Sequence, residues 1–282
     1  MQLFVDNNGQ LLPATEPSLH SNNRAHLYGD GVFESIRFMN GKFISLEAHI
    51  SRMLDGAKAI NIRTPSFFSV DFFEKRILEV LNKSGLNKSA KIRISIDRIS
   101  GGTYLPESNE ATFFIEVFPI KDENFVLNDK GLELDIYTDV KKQITPWANF
   151  KTKNGLLFIM AALKAKEMQL NDVFITNRQG GILETSNSNI FLVSNNSLYT
   201  PSIDQGCLAG VMRMNIINLA LENNIKVYEC NIMPQNLLVA DELFLTNAIR
   251  GVQWAGWYRT KQYTNSMSSK LIELLNKKYY YA

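Results

Sequence analysis

The sequence predicts two domains of α/β or α+β type and similar size, and three observations carry that reading. Stretches of clean alternation, such as Lys91–Asp97 with Ile92, Ile94 and Ile96 on one face, read as half-buried strands. Stretches with apolar residues at helical spacing, such as Leu46 to Ile60, stand among them. A polar stretch with few large apolar residues, Lys121 to Lys130, follows Pro119 and places a boundary. The reading is therefore an N-terminal domain over 1–120, a linker over 121–130 and a C-terminal domain over 131–282.

Each element has a local warrant. Gln2–Asp6 reads as a first strand ended by Asn7-Asn8-Gly9. Val32–Met39, Asn40-Gly41 and Lys42–Ser45 read as a hairpin, because Asn-Gly accepts positive φ at both turn positions. Leu46, Ile50, Met53, Leu54 and Ala57 mark one helix face, and Phe73, Ile77, Val80 and Leu81 mark another over Phe72–Leu81. Lys91–Asp97 and Ala111–Phe118 are further strands. Beyond the boundary, strands lie near Leu132–Thr138, Val173–Thr176, Ile190–Val193, Lys226–Glu229 and Glu242–Thr246. Helices at Gly155–Met168, Val211–Glu222 and Ser266–Leu275 separate them. No internal repeat and no low-complexity tract interrupts this order.

Composition narrows the classes of function. With 282 residues, 45% of them hydrophobic, the chain supports a large core, which excludes disorder, collagen and coiled-coil rods. Thirty Lys+Arg against 28 Asp+Glu lack the one-sided basic excess of a nucleic-acid binder. The longest apolar run, Leu156 to Leu163, is less than half of the ~20 residues a membrane span needs. The start, MQLFVDNNGQ, has no signal-peptide pattern, and Cys207 and Cys230 lie far apart, as reduced thiols do. A cytoplasmic chain with no membrane, nucleic-acid or metal partner is the expectation.

Four segments could carry chemistry. Tyr28-Gly29-Asp30-Gly31-Val32-Phe33-Glu34 is a glycine-flanked turn entering a strand, or simply a turn. Lys151-Thr152-Lys153-Asn154 precedes an amphipathic helix. A lysine reacts as an amine only when neutral, and Lys153 close by favours that state in its neighbour; two solvated lysines are the bland alternative. Glu184, between Ile182-Leu183 and Thr185-Ser186-Asn187-Ser188-Asn189, suits a buried anion held by hydroxyl and amide donors, or else a solvated loop. In Leu208-Ala209-Gly210-Val211-Met212-Arg213 a Gly opens a helix whose first N–H groups suit an anion, a weak signal taken alone.

In this order and spacing, the four segments resemble the fold-type IV pyridoxal-phosphate enzymes: branched-chain aminotransferases, D-amino-acid aminotransferases and 4-amino-4-deoxychorismate lyases. The resemblance runs from Arg24-Ala25-His26-Leu27-Tyr28-Gly29-Asp30-Gly31 to Thr246-Asn247-Ala248. It implies pyridoxal 5'-phosphate as cofactor and a smaller N-terminal α/β domain beside a larger C-terminal mixed-sheet domain. It also implies a homodimer in which a loop near His26–Gly31 or Gly101–Leu105 serves the partner's site. By the same resemblance Lys151 is the Schiff-base lysine, Asn154 its anchor, and Glu184 the carboxylate on the pyridine nitrogen. Arg52 holds the phosphate, Val211 and Met212 give it backbone donors, and Asn247-Ala248 forms a second phosphate loop.

For the substrate carboxylate, Arg93 on the polar face of its strand is the preferred cation, and Arg37, on the face of Phe33 and Ser35, is the second. Either arginine could instead be a solvated strand residue or an interface salt bridge. Phe33 and Tyr28 are the accompanying substrate-side candidates. Among the subfamilies, branched-chain aminotransferases carry Tyr where this chain has Gly155, and D-amino-acid aminotransferases carry an Arg-x-His trap where it has Gly101-Gly102-Thr103. Ala48-His49-Ile50-Ser51-Arg52, Ser100-Gly101-Gly102 and Gly210-Val211-Met212-Arg213 look like the lyases, whereas Glu34-Ser35 looks like the transaminases. The expectation is transamination of an amino acid, with the alternative of a lyase that releases pyruvate and 4-aminobenzoate from aminodeoxychorismate.

Overall fold

The computed structural model describes residues 2–16 and 19–281. Two runs of chain, 1–123 and 150–155, build one unit, and 124–149 with 156–282 build the other. The first contains β1 (Phe4–Asn7), β2 (Gln10–Pro13), α1 (Arg24–Tyr28), β3 (Gly31–Met39), β4 (Lys42–Phe43), α2 (Leu46–Ala59), α3 (Val70–Lys83), β5 (Ser89–Arg98) and β6 (Ala111–Pro119). Its strands form an antiparallel sheet in the order β2-β1-β6-β5-β3-β4.

Alternation decides what each face of this sheet does. Val32, Ile36, Ile92, Ile94, Ile96, Phe113, Ile115 and Val117 pack against Ile50, Met53 and Ala57 of α2 and Phe73, Ile77, Val80 and Leu81 of α3. Full burial of one such side chain is worth about 1.5–3 kcal/mol. The opposite face carries three cross-strand rows, namely Phe33, Ser95 and Phe114; Ser35, Arg93 and Glu116; and Arg37, Lys91 and Phe118.

The segment 150–155 belongs to this unit, whereas the sequence reading places everything beyond 130 in the C-terminal domain. The cause is an open strand edge. β4 pairs only with Phe38 and Met39, so the first half of β3 lacks a neighbour on that side. The segment supplies it: Phe33 N–H donates to Lys151 O at 2.9 Å, Lys153 N–H donates to Gly31 O at 2.9 Å, and Val32 bridges Thr152.

The second unit contains β7 (Leu132–Ile136), α4 (Leu156–Glu167), β8 (Asp172–Thr176), β9 (Ile182–Glu184), β10 (Asn189–Ser194), β11 (Ser197–Pro201), α5 (Val211–Glu222), β12 (Val227–Cys230), α6 (Pro234–Val239), β13 (Glu242–Asn247), β14 (Gly251–Tyr258), β15 (Lys261–Gln262) and α7 (Ser266–Tyr281). The sheet is mixed, β12-β11-β10-β13-β14-β7-β8-β9, with β15 on β14. β9 also pairs with β10, so six strands close into a ring around Leu134, Phe174, Ile190, Leu192, Leu243 and Leu245. Closure fixes Glu184, which is opposite Ile175 on one side and Asn189 on the other. Among the described residues, no helix is long and apolar enough to cross a membrane.

Candidate active site

In the first unit, Phe33 gathers two of the expected residues. Lys151 Nζ lies 4.4 Å from the centre of its ring and the Arg93 guanidinium carbon 4.0 Å from it. Ammonium and guanidinium are thus no farther apart than those two distances laid end to end. Arg93 is one-third exposed, with Glu116 Oε2 3.8 Å from its Nε. Burial lowers the affinity of Arg93 for its proton, while Glu116 and Asp97 raise it.

Lys153 is turned to a different partner. Its ammonium lies 2.7 and 2.8 Å from the two carboxylate oxygens of Asp97. Burial raises the Asp97 carboxyl above its usual range against the pull of Lys153. The charge that the sequence reading assigns to activating Lys151 is therefore offset by Asp97.

Arg52 reaches across from α2 to Glu34, a carboxylate on the core face of β3. Its Nε donates to Oε1 at 2.7 Å and its Nη2 to Oε2 at 2.6 Å, while His49 Nδ1 lies 2.7 Å from Oε2. Burial alone would raise the Glu34 carboxyl, but the charge of Arg52 and the hydrogen bonds from His49 and Arg52 bring it down to about 2. Burial also lowers the affinity of His49 for a proton, against the pull of Glu34. The sequence did carry a signal for this cluster, because Glu34 interrupts the inward row Val32, Ile36, Phe38, and His49 and Arg52 are one turn apart on a helix.

Arg37 and Tyr28 lie outside this group. Arg37 is buried and donates to the Asp122 carbonyl, which Ser89 Oγ also reaches at 2.9 Å. It stands four residues beyond Phe33, roughly 13 Å along the strand. Tyr28 packs its ring 5.5 Å from that of Tyr104 and 5.0 Å from the Arg24 guanidinium. Arg24 also donates to the carbonyls of Gly101 and Thr103, at 2.9 and 2.6 Å. Gly101 and Gly102 have φ of 123° and 72°, and a Cβ on Gly102 would strike Leu105 O. A residue with a side chain would be strained at either position.

In the second unit, Glu184 is buried with two donors: Lys142 Nζ is 2.5 Å from Oε1, and Leu208 N–H donates to Oε2 at 3.0 Å. Asn189 Nδ2 donates to Leu208 O at 2.8 Å, and Asn149 Nδ2 to the carbonyls of Ile203 and Cys207 at 2.7 Å, which fixes the loop before α5. Gly210 is the N-cap of α5, without a side-chain cap, and a Cβ there would run into Asn189 Oδ1. The first N–H groups of α5, at Val211 and Met212, therefore face no capping side chain, and the helix dipole favours an anion before them. Asn247 donates to Ser188 Oγ at 3.0 Å and accepts from the N–H groups of Ile249 and Arg250, so the loop through Ala248 is ordered by one side chain. Lys142, and the bond that the Leu208 N–H makes to Glu184, escaped the sequence reading. Lys141-Lys142 looks like any solvated pair, and a backbone N–H leaves no trace in residue type.

Comparison with known proteins matches the chain to one family. The Amino-transferase class IV profile matches residues 31–254. A provisionally named branched-chain-amino-acid aminotransferase of Methanocaldococcus jannaschii is 30% identical over 250 residues, 87% of this chain and 84% of that protein. The aminodeoxychorismate lyase of Vibrio harveyi is 27% identical over 245 residues, 86% of this chain and 87% of that one. The branched-chain aminotransferase of Thermoproteus uzoniensis, solved with norvaline, has a TM-score of 0.90 at 23% identity, covers 99% of this chain and 97% of its own, and establishes likeness of fold. With more than half of its length matched by that profile, the chain belongs to the class IV aminotransferase family.

Proposed function

We propose that the protein is a pyridoxal-phosphate-dependent transaminase of α-amino acids. The observation that carries the reading is the pair Lys151 and Arg93 on the ring of Phe33, a base beside a receptor for a carboxylate. The fit to the cofactor rests on two features of the second unit. Glu184 is a buried carboxylate with acceptor sites beyond its two donors, and α5 begins without a side-chain cap. Glu184 would meet the ring nitrogen; the N–H groups of Val211 and Met212 and the Asn247-Ala248 loop would hold the phosphate, while Arg52, expected there, is committed to Glu34. When bound, pyridoxal phosphate supplies an aldehyde that captures amines and a ring that accepts the electrons left as Cα loses its proton.

This chain's residues do the rest. Arg93 orients the α-carboxylate by a bidentate contact, so that the α-hydrogen points one way. Phe33 spaces the two cations and excludes water from the base. Lys151 Nζ takes the proton from Cα and returns it. Asp97 keeps Lys153 out of this work by pairing with it.

The apolar face of α4 supports a homodimer. Leu156, Ile159, Met160 and Leu163 follow helical spacing and are 44–66% exposed, more than a lone helix leaves bare without a partner. Light scattering should return twice the chain mass; a monomer of full activity would refute this. Reduced Cys207 and Cys230 fit a cytoplasmic place of action.

The deciding experiment offers a panel of D- and L-amino acids with a 2-oxo acid acceptor and follows the new amino acid. Transfer supports the reading. Release of 4-aminobenzoate and pyruvate from aminodeoxychorismate, without transfer, would replace it with the lyase, which the Vibrio harveyi relative favours.

A further inference from the structure

Lys142 has no part in the scheme above, yet it touches that scheme's most buried acceptor. Its ammonium lies 2.5 Å from Glu184 Oε1 and 3.1 Å from Ala148 O, with the Phe158 ring centre 5.5 Å from Nζ. The two side chains are only 11% and 4% exposed. Nor is the contact a chance of loop placement. Lys142 N–H donates to Thr176 O at 2.9 Å and Lys142 bridges Asn177, while Glu184 is opposite Ile175. Both residues are thus pinned to the same end of β8.

Exposed ion pairs contribute little, but a buried carboxylate that loses the cation in contact with it is left uncompensated. Lys142 supplies that cation. It also has an effect on whatever else approaches Glu184: an ammonium in contact with one oxygen cancels much of the carboxylate's field at the other.

We propose that Lys142 is a positioning residue for Glu184, which fixes one carboxylate oxygen and takes a share of its negative charge, so that Glu184 grips a protonated ring nitrogen less tightly than an unshared carboxylate would. The inference rests on the proposed function, because Glu184 must be the group that meets the ring. Lys142 then sets how strongly the ring is held in its protonated form, independently of Lys151 and Arg93.

The test compares two probes on cofactor-free protein: pyridoxal phosphate, and its analogue with CH in place of the ring nitrogen. Both can react with Lys151, so the ratio of their dissociation constants isolates the ring nitrogen. Removing the charge by Lys142→Met should raise the preference for pyridoxal phosphate about 5- to 10-fold, and Lys142→Arg should stay within about twofold of the parent. Lys142→Gln keeps a donor without the charge, should behave like Lys142→Met, and serves in its place if that variant does not fold. A purely structural lysine would lower the melting temperature and leave the ratio alone. An unchanged or lowered ratio in the Met and Gln variants, with Glu184→Gln still abolishing the preference, overturns the role of Lys142. A parent protein with no preference, unaltered by Glu184→Gln, overturns the reading of Glu184 itself.

Discussion

Two glutamates, one in each unit, are almost equally hidden from water: Glu34 is 1% exposed and Glu184 3%. Their surroundings differ in the number and geometry of donors. Glu34 receives a guanidinium fork and an imidazole, which occupy both oxygens and bring its carboxyl to about 2. Glu184 receives one ammonium and one backbone N–H. A carboxylate offers about four lone-pair positions, so the first is nearly saturated while the second retains acceptor capacity. Burial alone does not distinguish an anchor from a binding group; the count of donors does.

The same contrast separates two lysines, and there the largest effect is expected. Lys153 is bound to Asp97 on both oxygens, whereas Lys151 lies over Phe33 beside Arg93. Lys151→Ala should lose the cofactor's visible band and at least ~10⁴-fold in turnover, as befits loss of the base and attachment point. Lys153→Ala should keep the band. If the two outcomes are exchanged, the assignment of the base is wrong.

Identical substitutions of the two glutamates should then fail in different ways. Glu184→Gln should leave the melting temperature within a few degrees and slow turnover by ~10²- to 10⁴-fold, because an amide cannot hold a protonated ring nitrogen. Glu34→Gln should destabilise the protein by about 3–5 kcal/mol, since Arg52 would remain buried without its counter-charge. Measured unfolding free energies and kcat for both variants test the contrast; equal stability losses would remove it.

Acid offers the same comparison without mutation. The Glu34 carboxyl falls from its ordinary 4.5 to about 2 on folding, so between those values the unfolded chain binds more protons than the folded one. Its contribution, about 3 kcal/mol, is complete above pH 4.5 and is lost as the pH falls to about 2. His49 acts in the same direction, because burial lowers its affinity for a proton from the ordinary 6.5. Urea titrations across this range should give a steep acid limb in the parent and a shallower one in Glu34→Gln.

Legibility in the sequence followed the range of the interactions. Helices α2 and α3 show in the spacing of their apolar residues, because a helix that buries one face records it within about ten residues. β9, β11, β14 and β15 do not show. β9 is three residues long, and β14 mixes Gly251, Gly256, Trp254 and Trp257 without alternation, since its pairing is set by distant strands. In the site, Lys151 and Glu184 stand in recognisable strings. The pairings Lys153 with Asp97 and Lys142 with Glu184 span 56 and 42 residues, and nothing local announces a contact made only by the fold.

The smallest expected effect concerns the two arginines on one face of β3 and β5, and it decides which of them receives the substrate. Arg93 stacks on Phe33, is one-third exposed and has only a loose partner in Glu116 at 3.8 Å, so a carboxylate can compete for its fork. Arg37 is buried, and it is engaged with the Asp122 carbonyl. Arg93→Ala should raise KM for the amino acid by ~10- to 100-fold, the value of a bidentate pair in a partly dry site, with a smaller change in kcat. Arg93→Lys should recover part of the loss, since it restores the charge without the fork. Arg37→Ala should lower the melting temperature and leave KM near the parent value. Were Arg37→Ala to raise KM while Arg93→Ala did not, the substrate carboxylate would belong at the other end of the strand, and the pairing of base and receptor across Phe33 would have to be abandoned.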